Sequence, residues 1–470
     1  MMFWVARVRL TKETLGGCAR RILEPRWQSI GTGVVCAIVI VALASVGGFV
    51  TPAASAPTVT ITWWSHFASA ANNQKVLLNA AHRYEQSHPG VAVKITFYEK
   101  EQMILALRAA FAAGQSTPDV YYYDNDMSEF ITGGYAADLS SGINWANEEP
   151  WSKEYFHRPG PGGKIGVWVL PIEKDTDELY YNKKMFSDFS VAVPSGSYQL
   201  DQDAFTAAVQ KCVAGGKSAF AVGVGDRPYP GTYITNYLLL HQLGEADLRD
   251  LWSGGGRVTW NDPRVQAVLS YERKLVDMKA FPPSMSSIKL AEAHIFFHTQ
   301  QQACMMPVGS WYTSRAFEPP DKSGQPKEFY PILGMMNYPA LPGGAGNNLK
   351  FMQVDSGVAI NPRSTHLQEA KALFNVIATP ETGEDYVSIA VAPTTLKIDP
   401  SKITGAYADY WKLYNAVNAV DKPAVLAWQV VMKPGMVDAY TQVINSAFPE
   451  GLISVADATA KLEEARKSGQ

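Results

Sequence analysis

The sequence predicts an α/β protein in which a largely parallel sheet is covered by helices and the chain forms more than one lobe. Segments with alternating apolar residues and segments with helical spacing follow one another as β-α-β-α-β between residues 58 and 123. The same rhythm returns after residue 165. The chain has 470 residues, of which 47% are hydrophobic, and single cores stop growing at about 250–300 residues.

The first three strands are predicted by alternation. TVTITWW places Val59, Ile61 and Trp63 on one face, VAVKITFY follows as a second strand, and TPDVYYY opens a third. Helical spacing fills the gaps, in NNQKVLLNAAHRYEQ before the Pro-Gly at 89–90 and in residues 102–113. Ligands of such sheets bind beyond the carboxyl ends of the strands. We therefore expect residues 65–67 and 124–126 near a ligand.

The later elements follow the same logic. GVWVLPI predicts a strand, and DELYYNKKMF a strand and the start of a helix. WNDPRVQAVLSYERKLVDM predicts a helix capped by Asn261 or Asp262, with Pro263 at its first position. HTQQQACMMPVGSW predicts a strand that ends at residues 309–311. Residues 355–386 predict a strand, a turn at Asn361-Pro362 and one long helix.

The N-terminus is a targeting segment. A basic stretch precedes an uncharged run over residues 30–50, and Ala54-Ser55-Ala56 has the small-x-small form of a signal-peptidase site. Residues 1–56 are therefore a signal peptide, or an uncleaved anchor that spans the membrane with its basic side in the cytoplasm. Both alternatives predict an exported protein in the periplasm or at the cell surface, tethered to the plasma membrane by residues 30–50 in the second case.

Charge and cysteine content restrict the partners. The formal charge is -3, and the first 56 residues hold six of the 41 Lys/Arg and two of the 44 Asp/Glu, which leaves -7 on the remainder. An acidic body argues against nucleic acid as a partner, because binding phosphates needs a basic face. Cys212 and Cys304 are the cysteines of the exported body. They form one disulfide or remain two separately buried thiols.

Five segments in order resemble the extracellular solute-binding proteins of bacterial carbohydrate ABC importers, the family that includes maltose-binding protein. They are YEQSHPGVAVKI, AAFAAGQSTPDV, PIEKDTDELYYNKKMF, ACMMPVGSW and SGVAINPRSTHLQEAKALFNVIATPETGEDY. The resemblance implies the two-lobe periplasmic-binding-protein (Venus-flytrap) fold, with ligand in the interlobe cleft. It implies hinge crossings near residues 172–174, 337–339 and 392–394. Lobe one is then residues 57–173 plus 338–393, and lobe two is residues 174–337 plus 394–470.

The resemblance also implies positions that touch sugar. Tyr123 would provide an aromatic platform for the C–H face of a pyranose, and carboxylates would accept from its hydroxyls. Alternation favours Trp64 over Trp63 for the cleft edge. Maltose-binding protein has an arginine where Met127 stands, so maltose is not implied, and with no arginine at a matched position we disfavour sugar acids. The expected ligand-binding residues are Trp64, Ser65, His66, Tyr123, Asp124, Asp126, Asp175, Tyr233, Trp311, Asp355 and Ser356.

The implied function is capture of a mono- or oligosaccharide, including an amino sugar, and its delivery to the membrane permease. The partners are the carbohydrate and the permease subunits, with the ATPase contacted indirectly. We expect a monomer that is not an enzyme and uses no cofactor or metal; His294 and His298 share a helix face but lack a third ligand. The alternatives are an exported glycoside hydrolase using Glu173 and Asp175, or a glycerophosphodiester-type binder of the same fold.

Overall fold

The structure is a computed structural model that describes residues 58–322, 324–403, 405, 407–419 and 422–468. The targeting segment predicted for residues 1–56 lies outside the described residues, and so does the apolar run at 30–50. Among the helices in the described ranges, none has the length and apolar character needed to cross a membrane.

Strands occur throughout the described chain, and the longest is formed by residues 349–360. They are β1 Val59–Ser65, β2 Val91–Phe97, β3 Val120–Asp124, β4 His157–Pro159, β5 Ile165–Val167, β6 Leu170–Asp175, β7 Asp177–Asn182, β8 Ser218–Phe220, β9 Ala303–Gly309, β10 Leu333–Met336, β11 Leu349–Ile360 and β12 Lys422–Val425.

Helices alternate with these strands and then dominate the C-terminal part. They are α1 Ala71–Ser87, α2 Lys100–Ala113, α3 Ser128–Thr132, α4 Pro150–Tyr155, α5 Lys183–Asp188, α6 Gln202–Ala214, α7 Pro230–Tyr233, α8 Thr235–Leu243, α9 Glu245–Ser253, α10 Pro263–Asp277, α11 Leu290–His298, α12 Tyr312–Ala316, α13 Leu367–Ile377, α14 Pro380–Asp385, α15 Ala408–Ala419, α16 Trp428–Val431, α17 Pro434–Gln442 and α18 Val455–Ser468. Short 3-10 segments are Asn125–Met127, Trp145–Asn147, Pro161–Gly163, Pro320–Lys322, Lys327–Ile332 and Pro400–Lys402, and π-helical turns are Tyr386–Ala390 and Val443–Ala447.

The strands form two main sheets. The first has the order β12-β11-β3-β1-β2, with β6 also paired to β11, and the second has the order β10-β7-β9-β8. Strand β1 runs parallel to β2 and β3, as predicted, whereas β11 is antiparallel to both β3 and β6. The structure is therefore α/β with two main sheets. Parallel pairing joins the first three strands, β11 with β12, and β8 with β9, and both sheets also contain antiparallel pairs.

Each sheet is buried on both faces, which explains its continuous apolar runs. In β3, Val120 packs into one core while Tyr121 and Tyr123 pack into another. In β7, Leu179 and Tyr180 likewise point into different cores. Covering both faces with helices fixes the strand ends, and these ends position the residues described below.

Most predicted elements are present, and one prediction is wrong. Asp262 caps α10 by accepting from the backbone N–H of Arg264 at 2.9 Å, with Pro263 at the first helical position. The single long helix expected after Asn361-Pro362 is instead two helices, α13 and α14. The break precedes Pro380, because a proline disfavours the helical conformation in the residue before it.

The structure settles the state of the cysteines that the sequence left open. Cys212 of α6 and Cys304 of β9 form a disulfide, with Cα atoms 6.2 Å apart. Both residues are fully buried in the second half of the chain. The bridge therefore ties a helix to the strand that leads to Trp311.

The segments expected to cross between lobes contact both sheets. Residues 170–175 pair with β11, and β7 begins two residues later in the other sheet. Tyr338 and Phe351 pack in the core beside the second sheet together with Tyr237. From Gln353 onward, β11 pairs with β6 and β3. The first part of β11 therefore pairs with β12 beside the core of the second sheet, and its later part pairs with β6 and β3.

A buried acid beside one of these segments makes stability depend on pH. Glu148 is 1% exposed, and its backbone forms an isolated antiparallel β-bridge with Leu396. Ser152 Oγ donates to the Glu148 carboxyl group at 3.1 Å. Burial raises the pKa of Glu148 to about 8. Because the pKa in the folded protein lies above its ordinary value, stability is full below about pH 4 and is lost as the pH rises through 8.

We therefore expect Glu148→Gln to raise the free energy of unfolding at pH 8, by on the order of a few kcal/mol, and to change little at pH 4. Urea unfolding at several pH values measures this difference. Glu149→Gln, at the partly exposed neighbour, is the control. Equal stabilisation at both pH values would contradict the account.

Candidate ligand-binding cavity

A cavity of about 1300 Å³ lies between the ends of the two main sheets. One side is formed by residues at the ends of β1 and β3 and on β6 and β11. The other is formed by residues 226–229, 232–233, 289–291, 311, 314–315, 428–430, 432, 434, 437–438 and 441. Small-molecule pockets typically measure about 300–1,000 Å³. The space is therefore sufficient for more than one small ring.

The ends of β1 and β3 bring a histidine, a tyrosine and two acids to the cavity. The His66 ring stacks on Tyr122 with ring centroids 3.6 Å apart, and Tyr122 donates to Asp124 at 2.9 Å. Lys100, the first residue of α2, pairs with Asp124 and lies 3.3 Å from Asp126. Burial alone would raise the pKa of Asp124, but Lys100 holds it below its ordinary value. Burial and Lys100 lower the pKa of His66, which keeps it neutral.

Strands β6 and β11 add a row of polar groups. Glu173 accepts from Asn73 at 2.7 Å and from Ser356 at 2.6 Å. Gln353 donates to Asp175 at 3.1 Å. Burial raises the pKa of Glu173 to about 7 and that of Asp175 to about 6.

Asp355 follows Gln353 by two residues on β11, so both side chains face the cavity. Burial, with the carboxylates of Asp175 and Glu173 nearby, raises its pKa well above the ordinary value. In the part of the chain that the structure describes, Asp355 has no hydrogen-bond or ion-pair partner. Its carboxyl group is therefore available to a ligand.

The end of β9 positions the aromatic residue of the opposite side. Ser310 donates to Asp175 Oδ1 through its backbone N–H at 2.8 Å and through its hydroxyl at 3.1 Å. This fixes the turn from which Trp311 extends, and its partly exposed indole lines the cavity. The Arg315 guanidinium lies over this indole, 5.6 Å from the ring centroid.

The expected ligand-binding residues divide into two groups. Seven of them line the cavity, namely His66, Asp124, Asp126, Asp175, Tyr233, Trp311 and Asp355. Four are not among its lining residues: Trp64, Ser65, Tyr123 and Ser356. Trp64 is partly exposed and packs against Tyr98, whereas Trp63 is fully buried. Ser65 and Ser356 are buried, and the hydroxyl of Ser356 is directed to Glu173.

The expectation for Tyr123 requires a correction. Tyr123 is fully buried and its ring contacts Phe156 edge-on, with centroids 5.6 Å apart. Of the three consecutive tyrosines of β3, Tyr122 is the one that lines the cavity. Alternation along the strand separates Tyr122 from Tyr121 and Tyr123, so the residue at the cavity is displaced by one position.

Several cavity residues were missed by the sequence reasoning. They are Lys100, Tyr122, Arg227, Arg315, Gln353 and Trp428. Arg315 was identifiable in principle, because Trp311, Ser314 and Arg315 have the i, i+3, i+4 spacing of one helix face. Gln353 likewise shares the alternation of Asp355. Arg227 and Trp428 had no comparable signal.

The carboxylates of the hydrolase alternative have an unsuitable arrangement. Glu173 and Asp175 lie side by side on β6, and both accept from protein donors. Glycoside hydrolysis needs two acids that face each other across the bond to be cleaved. The described residues also contain no group of three or more His, Cys, Asp or Glu side chains that could hold a metal ion.

Gly309 allows the indole to lie close to the strand. A Cβ at this position would overlap Trp311 Nε1 and would lie 2.6 Å from Asp175 Oδ1. We expect Gly309→Ala to displace the indole and weaken ligand binding by about tenfold, or about 1.4 kcal/mol. Calorimetric titration measures this loss. In a Trp311→Ala background the same change should have little further effect, and additive losses would contradict the proposed cause.

The model of the family described as bacterial extracellular solute-binding protein matches residues 66–384. A multiple sugar-binding protein of Streptococcus mutans serotype c (strain ATCC 700610 / UA159) is 21% identical over 321 residues, which cover 67% of this chain and 70% of that protein. A chitin oligosaccharide binding protein has a similar structure, with a TM-score of 0.72 and 19% identity over 87% of this chain and 98% of that chain.

A further similar structure was solved in connection with xylan utilization by the thermophilic bacterium Caldanaerobius polysaccharolyticus. Its TM-score is 0.73 and its identity is 19%, over 86% of this chain and 99% of that chain. These similarities show the two-lobe α/β fold, in agreement with the two sheets. Because the family model matches more than half of this chain, the chain belongs to the bacterial extracellular solute-binding proteins.

Proposed function

We propose that this protein captures a carbohydrate in the cavity and delivers it to the permease of an ABC importer. The observation that carries the proposal is the composition of the cavity, in which the partly exposed indole of Trp311 is accompanied by the available carboxyl group of Asp355. Sugars present a C–H face that packs on aromatic rings and hydroxyls that pair with carboxylates. The Streptococcus mutans relative is named a multiple sugar-binding protein, and this name and the family membership support the same assignment.

The lobes of this proposal differ slightly from those expected from the sequence. We propose that one crossing lies at Thr176 and a second within β11 between Met352 and Gln353. A third follows the segment around Thr395, which contacts β6. The packing of Tyr338 and Phe351 beside the second sheet supports the second crossing. The hydrogen bond from Thr395 N to Ile172 O, 3.0 Å long, supports the third.

The ligand should be released unchanged, and the protein should act outside the cytoplasm as a monomer that docks on the permease. The adjacent position of Glu173 and Asp175 on one strand supports binding rather than hydrolysis. Whether residues 1–56 remain as an anchor does not alter this role.

The test is a thermal-shift screen of the purified protein against neutral mono-, di- and oligosaccharides and amino sugars. Chromatography of the recovered ligand accompanies it. We expect at least one saccharide to raise the melting temperature and to be recovered intact, because a ligand that binds only the folded state stabilises it. Stabilisation by no saccharide would contradict carbohydrate binding, and recovery of cleaved sugar would favour the hydrolase.

A further inference from the structure

The N-terminus of α1 is held by a carboxyl group from the other side of the cavity. Glu318, which follows α12, accepts a hydrogen bond from the backbone N–H of Asn72 at 2.6 Å, although the two residues are 246 positions apart. Asn72 lies between β1 and β2 of the first sheet, and Glu318 follows β9 of the second. The contact therefore joins the two sides of the cavity.

Helix α1 provides no side-chain acceptor of its own for this N–H. Its N-cap residue is Ala70, which forms no side-chain capping bond, and its first turn contains no acid. The first N–H groups of a helix have no partner within the helix, and the side chain of an N-cap residue normally accepts from the second or third of them. Asn72 is the second residue of α1. Glu318 thus provides the acceptor that a local N-cap would otherwise supply.

The local structure fixes both partners of this hydrogen bond. Glu318 is 1% exposed, and its backbone N–H donates to the carbonyl of Arg315 at 3.1 Å. A Cβ on Gly324 would overlap the Glu318 carbonyl, so the loop after α12 lies directly against this backbone. On the other side, Asn73 Nδ2 donates to Glu173 at 2.7 Å, which ties the first turn of α1 to β6. The hydrogen bond therefore depends on how α12 lies relative to α1.

The contact adjoins the cavity without forming its wall. Ser69 and Ala70, which precede α1, line the cavity, and so do Ser314 and Arg315 of α12. Glu318 is not among the lining residues. It is therefore placed to act on a ligand through the position of α12, and not by touching the ligand.

A second contact between the two sides is more exposed. Arg227 Nη2 lies 2.8 Å from Glu101 Oε1, and these side chains are 37% and 66% exposed. Exposed ion pairs contribute little, because water screens the charges. Loss of the buried Glu318 oxygen would instead leave the Asn72 N–H without a partner when the two sides are together, whereas water can bind it when they are apart. Of these two contacts, that of Glu318 discriminates more strongly between the two arrangements.

We propose that Glu318 is a positioning residue that holds the two lobes closed over a bound sugar by capping α1 from the opposite lobe. This inference rests on the proposed function and on the division into lobes given with it. A sugar that packs on the α12 side and contacts the first sheet favours the arrangement in which the hydrogen bond forms. Opening must break this bond, so the contact slows release of the sugar.

The contact requires an acceptor oxygen more than a full negative charge. Burial raises the pKa of Glu318, and the N–H of Asn72 and the charge of Arg315 oppose this effect only in part. In the part of the chain that the structure describes, the second carboxyl oxygen, Oε2, has no hydrogen-bond partner. Glutamine has a similar shape and keeps one acceptor oxygen. Glu318→Gln should therefore preserve the contact, whereas Glu318→Ala removes it.

Amide hydrogen exchange of the full chain, resolved at Asn72, tests the contact without a ligand. We expect the Asn72 N–H to exchange at least about fivefold faster in Glu318→Ala than in the wild type, because a hydrogen-bonded amide exchanges only when its bond opens. Glu318→Gln should exchange nearly as slowly as the wild type. Equal exchange in the wild type and Glu318→Ala would overturn this inference and leave the proposed function intact.

Surface plasmon resonance with cellobiose and N,N′-diacetylchitobiose tests the consequence for binding. We expect Glu318→Ala to bind about tenfold more weakly, mainly through faster dissociation, and Glu318→Gln to stay within about threefold of the wild type. The matched control is Asp201→Ala, because Asp201 caps α6 within one lobe by accepting from the N–H of Ala204 at 2.7 Å. It should lower the free energy of unfolding but leave dissociation unchanged.

The outcomes separate this inference from the proposed function. Normal dissociation in Glu318→Ala, or the same loss of affinity in Asp201→Ala, would assign Glu318 a merely structural role and overturn the inference alone. If no saccharide of the thermal-shift screen binds, the proposed function fails and the role in retaining sugar fails with it, whatever the exchange rate at Asn72.

Discussion

Replacement of Trp311 by alanine is expected to lower ligand affinity by about 2–4 kcal/mol, as truncation of a central aromatic contact does. The indole is partly exposed in the cavity, and its removal takes away the apolar surface on which a sugar ring would pack. Calorimetric titration with the best saccharide of the screen measures this loss.

The control is Trp252→Ala, which truncates a tryptophan that is 1% exposed and stacked on Phe351 with centroids 5.8 Å apart. This change should cost about 3–5 kcal/mol of folding free energy. Trp311→Ala should lower the melting temperature much less. If Trp311→Ala is destabilised as strongly as Trp252→Ala while its folded fraction binds normally, Trp311 is a core residue and the proposed site is wrong.

Removal of the disulfide is expected to have the largest effect on stability. The bridge joins residues separated by 92 positions. In the chain-entropy description, closing a loop of this length raises the free energy of the unfolded chain by about 4–5 kcal/mol. We therefore expect Cys212→Ala/Cys304→Ala to lower the free energy of unfolding by about this amount, measured by urea unfolding.

Ligand affinity is the control measurement for the disulfide variant. Neither cysteine lines the cavity, so the folded variant should bind with nearly wild-type affinity. Peptide mapping without reduction should also find the two cysteine peptides linked in the wild type. Unlinked peptides would contradict the disulfide, and a loss of unfolding free energy below about 1 kcal/mol would contradict its expected contribution to stability.

The order of elements could be predicted because strands and helices leave different periodicities in the sequence. The faces of the strands were less predictable. Tyr121, Tyr122 and Tyr123 are all buried, because both faces of the first sheet are covered. Alternation alone then cannot tell a core tyrosine from a cavity tyrosine. The stacking of Tyr122 on His66 depends on a neighbouring strand that is distant in sequence.

The crossing that we propose within β11 could not be predicted from the sequence for a related reason. The strand is continuous over 12 residues, and its first part pairs with β12 while the rest pairs with β3 and β6. Nothing in its local pattern marks the residue at which its partners change. The position of this change is set by the neighbouring strands with which β11 pairs, and these strands are distant in the sequence.

The cavity was predicted best where a strand end and a family segment coincide, as at Asp124, Asp175 and Trp311. It was predicted poorly where the segment after a strand folds as a short helix. Residues 312–316 were not predicted as helical, and without α12 the shared face of Trp311 and Arg315 could not be recognised. A sequence reading that looks for i, i+4 partners of each expected aromatic residue would have found Arg315.

A crystal structure with the tightest-binding saccharide tests the central claim most directly. We predict one sugar ring packed against the indole of Trp311, with hydroxyl groups within hydrogen-bond distance of Asp355 and Arg315, about 2.7–3.2 Å. A saccharide bound outside this cavity, or bound within it without contact to Trp311 and Asp355, would contradict the account.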